Sequence, residues 1–94
     1  MSLNPKIKNW KEKRVWIIGA STGIGAALAR RLHAKGARVI ASARSADKLD
    51  ALVRELGKDR ALAVPLDITD VESIRSADAR IETAWGGYDL VVFM

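Results

Sequence analysis

Ninety-four residues, 49% of them hydrophobic and 29% charged, bound the chain to one small globular domain, of a size that buries roughly 60–70% of its unfolded surface. The longest apolar runs fall far short of the roughly 18 residues of a membrane span. The lack of cysteine excludes disulfides and thiolate metal sites and fits a cytoplasmic protein. The net charge of +5 is no nucleic-acid signature: five of the sixteen basic residues (Lys6, Lys8, Lys11, Lys13, Arg14) crowd at or before the start of the first strand, and others (Arg30, Arg31, Lys35) fall on the solvent face of a predicted helix. No aromatic residues interleave with them to stack bases.

In chain order, residues 1–13 read as a basic leader with no apolar core behind it, hence not a signal peptide; Met1–Leu3 fits a cloning leader and is left out of the fold reading. Residues 14–94 read as one domain. Arg14–Ile18 is a continuous β-rich run, as expected of a strand buried on both faces. A glycine-rich turn follows, and then Ile24, Leu28 and Leu32 recur at helical spacing as a buried stripe, stopped at Lys35-Gly36. Arg38–Ala43 is a second strand. Ser45 caps a helix with apolar Leu49, Leu52, Val53 and Leu56, ended by Gly57. Ala61–Leu66 is a third strand. Thr69 and Glu72 have capping-box spacing and open a helix carrying Ile74, Ala77, Ile81 and Trp85. Gly86-Gly87 break it, and Tyr88–Met94 is a fourth strand.

This β-α-β-α-β-α-β order predicts an α/β fold of three layers, a doubly wound parallel sheet (Rossmann fold) with helices on both faces. The inferred strand order is 3-2-1-4, which leaves "LVVFM" as an apolar edge.

The turn carries Gly19, Gly23 and Gly25 between the first strand and the first helix. A helix N-terminus offers unpaired backbone N–H groups and a positive dipole end to a pyrophosphate. Glycine removes the Cβ atoms that would hold phosphates away and permits positive φ, and Ser21 and Thr22 add hydroxyl donors. "GASTG" also matches the G-x-S-x-G nucleophile elbow. An elbow serine needs an acid and then a histidine further along the chain, and the one histidine, His33, comes before any candidate acid. A Walker A loop needs Gly-Lys-Ser/Thr, and Gly25 is followed by Ala26-Ala27. A tight turn without a ligand is the remaining reading.

"GASTGIG", "VIASAR", "LDITD" and "GGYDLVVFM", in that order, resemble the cofactor-binding N-terminal half of the short-chain dehydrogenase/reductase family across Val15–Met94. One departure is Ile18, where that family usually has threonine. The resemblance implies hydride transfer between a nicotinamide dinucleotide and a carbonyl or alcohol substrate, in a homo-oligomer, with Gly19, Ser21, Thr22, Gly23, Ile24 and Gly25 forming the cofactor turn. It also implies that Asp67 and the backbone of Ile68 lie by the adenine; without it, Asp67 reads as a helix-capping residue. At the end of the second strand, an acidic side chain would bind the ribose hydroxyls of NAD. Ala43 and Arg44 stand there instead, and a guanidinium suits the 2′-phosphate of NADP.

The family's catalytic tyrosine, with a lysine four positions on, is not found: the sole tyrosine is Tyr88, and Val92 stands four residues later. No catalytic residue and no metal ligand is assigned. The expectation is a domain cut off at its fourth strand, the cofactor-binding half of a longer enzyme. The alternative is a non-catalytic nucleotide-binding or interaction module of the same fold. A methyltransferase-like domain would want an acidic residue where Ala43-Arg44 stand.

Overall fold

The computed structural model describes residues 9–21 and 23–94. Met1–Leu3, Lys6 and Lys8 of the leader, and Thr22 of the turn, lie outside the described residues. Seven elements follow in the order β1 (Arg14–Ile18), α1 (Gly23–Ala34), β2 (Arg38–Ser42), α2 (Ala46–Leu56), β3 (Ala61–Ala63), α3 (Val71–Trp85) and β4 (Leu90–Phe93). The four strands form one parallel sheet in the order β3-β2-β1-β4. The central pair is in register from Arg14 opposite Arg38 to Ile18 opposite Ser42.

Alternation along β1 divides the core, because successive strand side chains point to opposite faces. Val15 and Ile17 join Ala29 and Leu32 of α1 and Leu49 and Leu52 of α2 in one apolar cluster. Trp16 turns the other way and packs with Ala77 and Ile81 of α3 and with Ile40, Val64 and Leu66. Two helices therefore cover one face and the third covers the other, the three-layer arrangement that a strand without a polar face demands.

The helix ends follow local chemistry. Ser45 caps α2 by accepting the Lys48 N–H, and Gly57 closes it with its own N–H on the Val53 carbonyl. Gly86 ends α3 in the left-handed conformation, φ 78°, a geometry glycine adopts without a Cβ penalty.

The structure corrects five details of the sequence reading. β2 ends at Ser42 rather than Ala43, because its partner β1 ends at Ile18, opposite Ser42. The buried side of α1 runs Gly25, Ala26, Ala29 and Leu32, whereas Ile24 is 76% exposed. Small residues face the sheet there because the helix starts close against the turn, and no room is left for a branched side chain. β3 stops at Ala63 rather than Leu66, although the N–H groups of Val64 and Leu66 still reach the Ala41 and Ala43 carbonyls; Pro65 falls between them on this edge strand, where an N–H would point away from β2. The cap of α3 is Asp70, which accepts the Glu72 N–H, and Thr69 bonds back to Asp67 instead. β4 begins at Leu90, because Tyr88 lies edge-on against Trp16, ring centroids 5.0 Å apart, and Asp89 pairs with Arg14.

Candidate functional site

The turn after β1 is tied to the end of β2. The N–H groups of Gly19 and Ala20 both donate to the Ser42 carbonyl, at 2.7 and 3.1 Å. Ser42 is fully buried, and its hydroxyl accepts the Trp16 indole N–H at 2.8 Å. The ends of the two central strands are thereby fixed to each other and to the first residues of the turn.

The three glycines serve three physical purposes. A Cβ on Gly25 would stand 2.0 Å from the Gly19 carbonyl oxygen, so its bare Cα is what lets α1 start against the strand end. Gly19 has φ +98°, and a Cβ there would meet Met94 at 3.3 Å. Gly23 has φ +61°, and nothing lies within 4 Å of where its Cβ would be. That glycine is exposed at the first residue of α1, and it leaves an open approach to the helix N-terminus. With no acidic residue in the first turn of α1, the positive dipole end is uncompensated by the helix's own side chains. Open space at Gly23 and the positive end of the helix fit a phosphate-type anion.

Beside this turn, at the C-terminal ends of the strands, lies a cleft of about 200 Å³. Gly19, Arg44 and Ile68 line it together with Ile18, Ala43 and Leu66, and Phe93 and Met94 add to its apolar wall. Arg44 is the one charged side chain among these. The structure thus brings Gly19, Arg44 and Ile68 into a single cleft. Ser21, Gly23, Ile24 and Gly25 sit on the α1 side of the turn.

Asp67 stands between two lining residues, Leu66 and Ile68. Its Oδ1 accepts from both the Thr69 hydroxyl (2.7 Å) and the Thr69 N–H (3.0 Å), and its own N–H donates to Ser73 Oγ (2.9 Å). The Thr69 hydroxyl, with its N–H behind it, holds the Asp67 carboxyl below the usual carboxylate range, and the nearby Arg44 charge adds to this. Sequence reasoning missed Ser42, Ser73, Phe93 and Met94. A lone serine in the otherwise apolar strand "VIAS" was the available signal for Ser42; pairing of a loop aspartate with Ser73 leaves no mark in spacing.

The nucleophile-elbow arrangement fails on geometry. His33 lies ten residues beyond Gly23 on the same helix, about 15 Å along its axis, out of reach of Ser21. Its Nε2 is buried without a partner, and burial, with Arg60 nearby, pushes its pKa down. Partial burial, with Asp78 nearby, pushes the Tyr88 pKa up, away from an activated phenolate. Among the described residues, no helix is long and apolar enough to cross a membrane.

Comparison with known proteins agrees with this geometry. The model of the short chain dehydrogenase family matches residues 13–93. An uncharacterized oxidoreductase of Staphylococcus aureus is 35% identical over 81 residues, 86% of this chain and 35% of the relative. An L-sorbose reductase from Gluconobacter frateurii, solved with NADPH and L-sorbose, has 30% identity and a TM-score of 0.80 over 86% of this chain and 32% of that one. A 3-ketoacyl-(acyl-carrier-protein) reductase from Brucella melitensis, solved with NADH, has 29% identity and a TM-score of 0.83 over 87% and 34%. The chain spans about a third of the length of these proteins.

Proposed function

Because this chain belongs to the short chain dehydrogenase family, we propose that it forms the dinucleotide-binding part of an oxidoreductase that passes hydride between NADP(H) and a carbonyl or alcohol substrate. The observation that carries the choice of cofactor is Arg44, the one charged group in the wall of the cleft at the end of β2. The family's neighbours include one solved with NADPH and one with NADH, so the side chain at this strand end is what discriminates. A guanidinium offers bidentate, charge-assisted hydrogen bonds to a 2′-phosphate, and no acidic residue stands at the end of β2 to hold ribose hydroxyls.

In this reading the turn from Gly19 through Ser21, Thr22, Gly23 and Ile24 to Gly25 holds the pyrophosphate. Gly23 admits it and Gly25 brings the helix N–H groups close. Asp67 and Ile68 receive the adenine, and Arg44 takes the 2′-phosphate. The nicotinamide supplies or accepts the hydride. The residues named here bind and orient; none of them is assigned a proton-transfer step. A cytoplasmic location, a homo-oligomeric assembly and a small-molecule substrate bound by further chain belong to the same proposal, with no nucleic-acid or membrane partner.

The test is calorimetric titration of NADPH and NADH into the wild type and Arg44→Asp. Two charge-assisted hydrogen bonds predict a wild-type preference for NADPH of roughly tenfold or more, lost or reversed in the variant. Equal wild-type affinities for the two cofactors overturn the assignment.

A further inference from the structure

Three arginines are held by hydrogen bonds among the described residues, and they differ in what meets the edge formed by Nε and Nη2. Arg14 turns that edge onto both carboxylate oxygens of Asp89, at 3.2 and 3.3 Å. Arg30 turns it onto both oxygens of Glu55, at 2.7 and 3.2 Å. Arg60 is anchored through Nη1 alone, which donates to the His33 and Ala37 carbonyls, both at 3.1 Å. No described residue accepts from its Nε/Nη2 edge. Arg60 is half-buried and lines a cavity of about 430 Å³ between the C-terminal end of α1 and the turn before β1, at the end of the sheet opposite the cleft. We propose that this cavity is a second anion site, which takes a phosphate monoester on the Arg60 edge with Lys11 and Lys35 beside it.

Backbone bonds hold the walls. The Glu12 N–H donates to the Gly36 carbonyl at 2.9 Å, and the Lys13 N–H closes the turn of residues 10–13 on the Trp10 carbonyl at 3.0 Å. A Cβ on Gly36 would stand 3.1 Å from Lys11 Cα, so the bare glycine lets this turn lie over the helix end. Lys11 and Lys35 line the cavity and are exposed, and neither makes an ion pair among the described residues. The carbonyl end of α1 itself attracts cations, but it is worth only about half a negative charge, and Arg60 serves it through Nη1. The wall adds one carboxylate, Glu12. Three cations outweigh both, so the cavity stays positive. The planar fork of Arg60 matches two phosphate oxygens, and the two ammonium groups add charge without a set geometry. The volume lies within the range of small-molecule sites, roughly 300–1,000 Å³, which leaves room for the organic part of an ester.

The test is a two-dimensional proton–nitrogen NMR titration of the chain with glycerol 3-phosphate, read at the Glu12 and Gly36 amides and at the Arg60 Nε–H. Saturable shifts at these three are expected, and acetate, with a single charge, should bind more weakly. Arg60→Lys keeps the charge but loses the fork, and should weaken binding roughly tenfold, the worth of one charge-assisted hydrogen bond. Lys35→Gln, on the surface, should weaken it several-fold and leave the rest of the spectrum unchanged; it carries the test if Arg60→Lys does not fold. Wild-type affinity in either variant means diffuse attraction to a basic surface and overturns the proposal. Acetate binding as tightly as the phosphate overturns the choice of ligand. Shifts confined to residues 21–25 and Arg44 overturn the second site while leaving the cofactor reading intact.

Discussion

Replacing Gly25 by alanine sets two opposing effects against each other. Inside a helix, alanine is favoured over glycine by about 1 kcal/mol, and Gly25 belongs to α1. Its Cβ, however, would lie 2.0 Å from the Gly19 oxygen, 2.9 Å from the Gly19 carbonyl carbon and 3.1 Å from the Ala20 Cα, all backbone atoms. Real Cβ atoms keep at least 3.0 Å, so the start of α1 must retreat from the end of β1 by about 1 Å. Those backbone atoms cannot swing aside, because Gly19 and Ala20 are both held by the Ser42 carbonyl. Overpacking that moves backbone costs about 3 kcal/mol at the upper end of its usual range. The clash therefore wins, with a net loss of about 2 kcal/mol. In urea, with a slope of about 1 kcal/mol per M for a domain of this size, the unfolding midpoint should fall by roughly 2 M. Gly23→Ala is the control: it meets no atom but is strained at φ +61°, a loss of about 1 kcal/mol. A wild-type midpoint for Gly25→Ala would refute the close approach of helix and turn.

Ser42→Ala strands the buried Trp16 indole N–H, at a cost of about 1–3 kcal/mol; an unchanged urea midpoint would show that this bond contributes nothing. Asp70→Ala removes the α3 cap and should cost about 1 kcal/mol, whereas Thr69→Ala, if Asp70 is the true cap, should leave the helical circular-dichroism signal intact. For His33, burial lowers the folded-state pKa, so the unfolded chain takes up the proton first. Stability is then fully present above the unfolded value of about 6.5 and is lost as pH falls through it. The urea midpoint should drop between pH 7.5 and 5.5 in the wild type and stay level in His33→Gln; a flat wild-type profile speaks against it.

Much of this architecture is legible from the residue pattern, and the exceptions share a cause. Strands such as "RVWII" and "RVIAS" announce themselves because burial on both faces demands unbroken apolar residues. α2 is equally plain, since Ser45, Gly57 and the leucines between them agree. α1 misleads because Ile24 is the most apolar residue of its first turn yet points away from the sheet, while Gly25 and Ala26 make the contact. Spacing cannot tell a glycine with open space beside it from one pressed against a neighbouring strand end; Gly23 and Gly25 look alike in a motif and differ only once the Gly19 oxygen is placed. The same holds for the acidic loop "DITD", where two aspartates compete for one helix. Which of them caps is settled by the donors that reach them: the Glu72 N–H goes to Asp70, and the Thr69 N–H and hydroxyl go to Asp67.

The sheet order has a consequence for how the chain is born. Of the four described strands, β1 leaves the ribosome before the other three and lies between β2 and β4, and its second neighbour, β4, emerges after the other three. Ser42 ends β2 and Phe93 ends β4, so at the usual 5–20 residues per second β1 waits roughly 3–10 s with one flank bare. During that interval Val15, Trp16 and Ile17 lack the strand that pairs with them, and the Arg14–Asp89 ion pair that fastens the two strands at their start cannot form. Synthesis speed between residues 43 and 93 is therefore a lever on misassembly, and slow codons there would lengthen the time in which that flank can pair with another nascent chain.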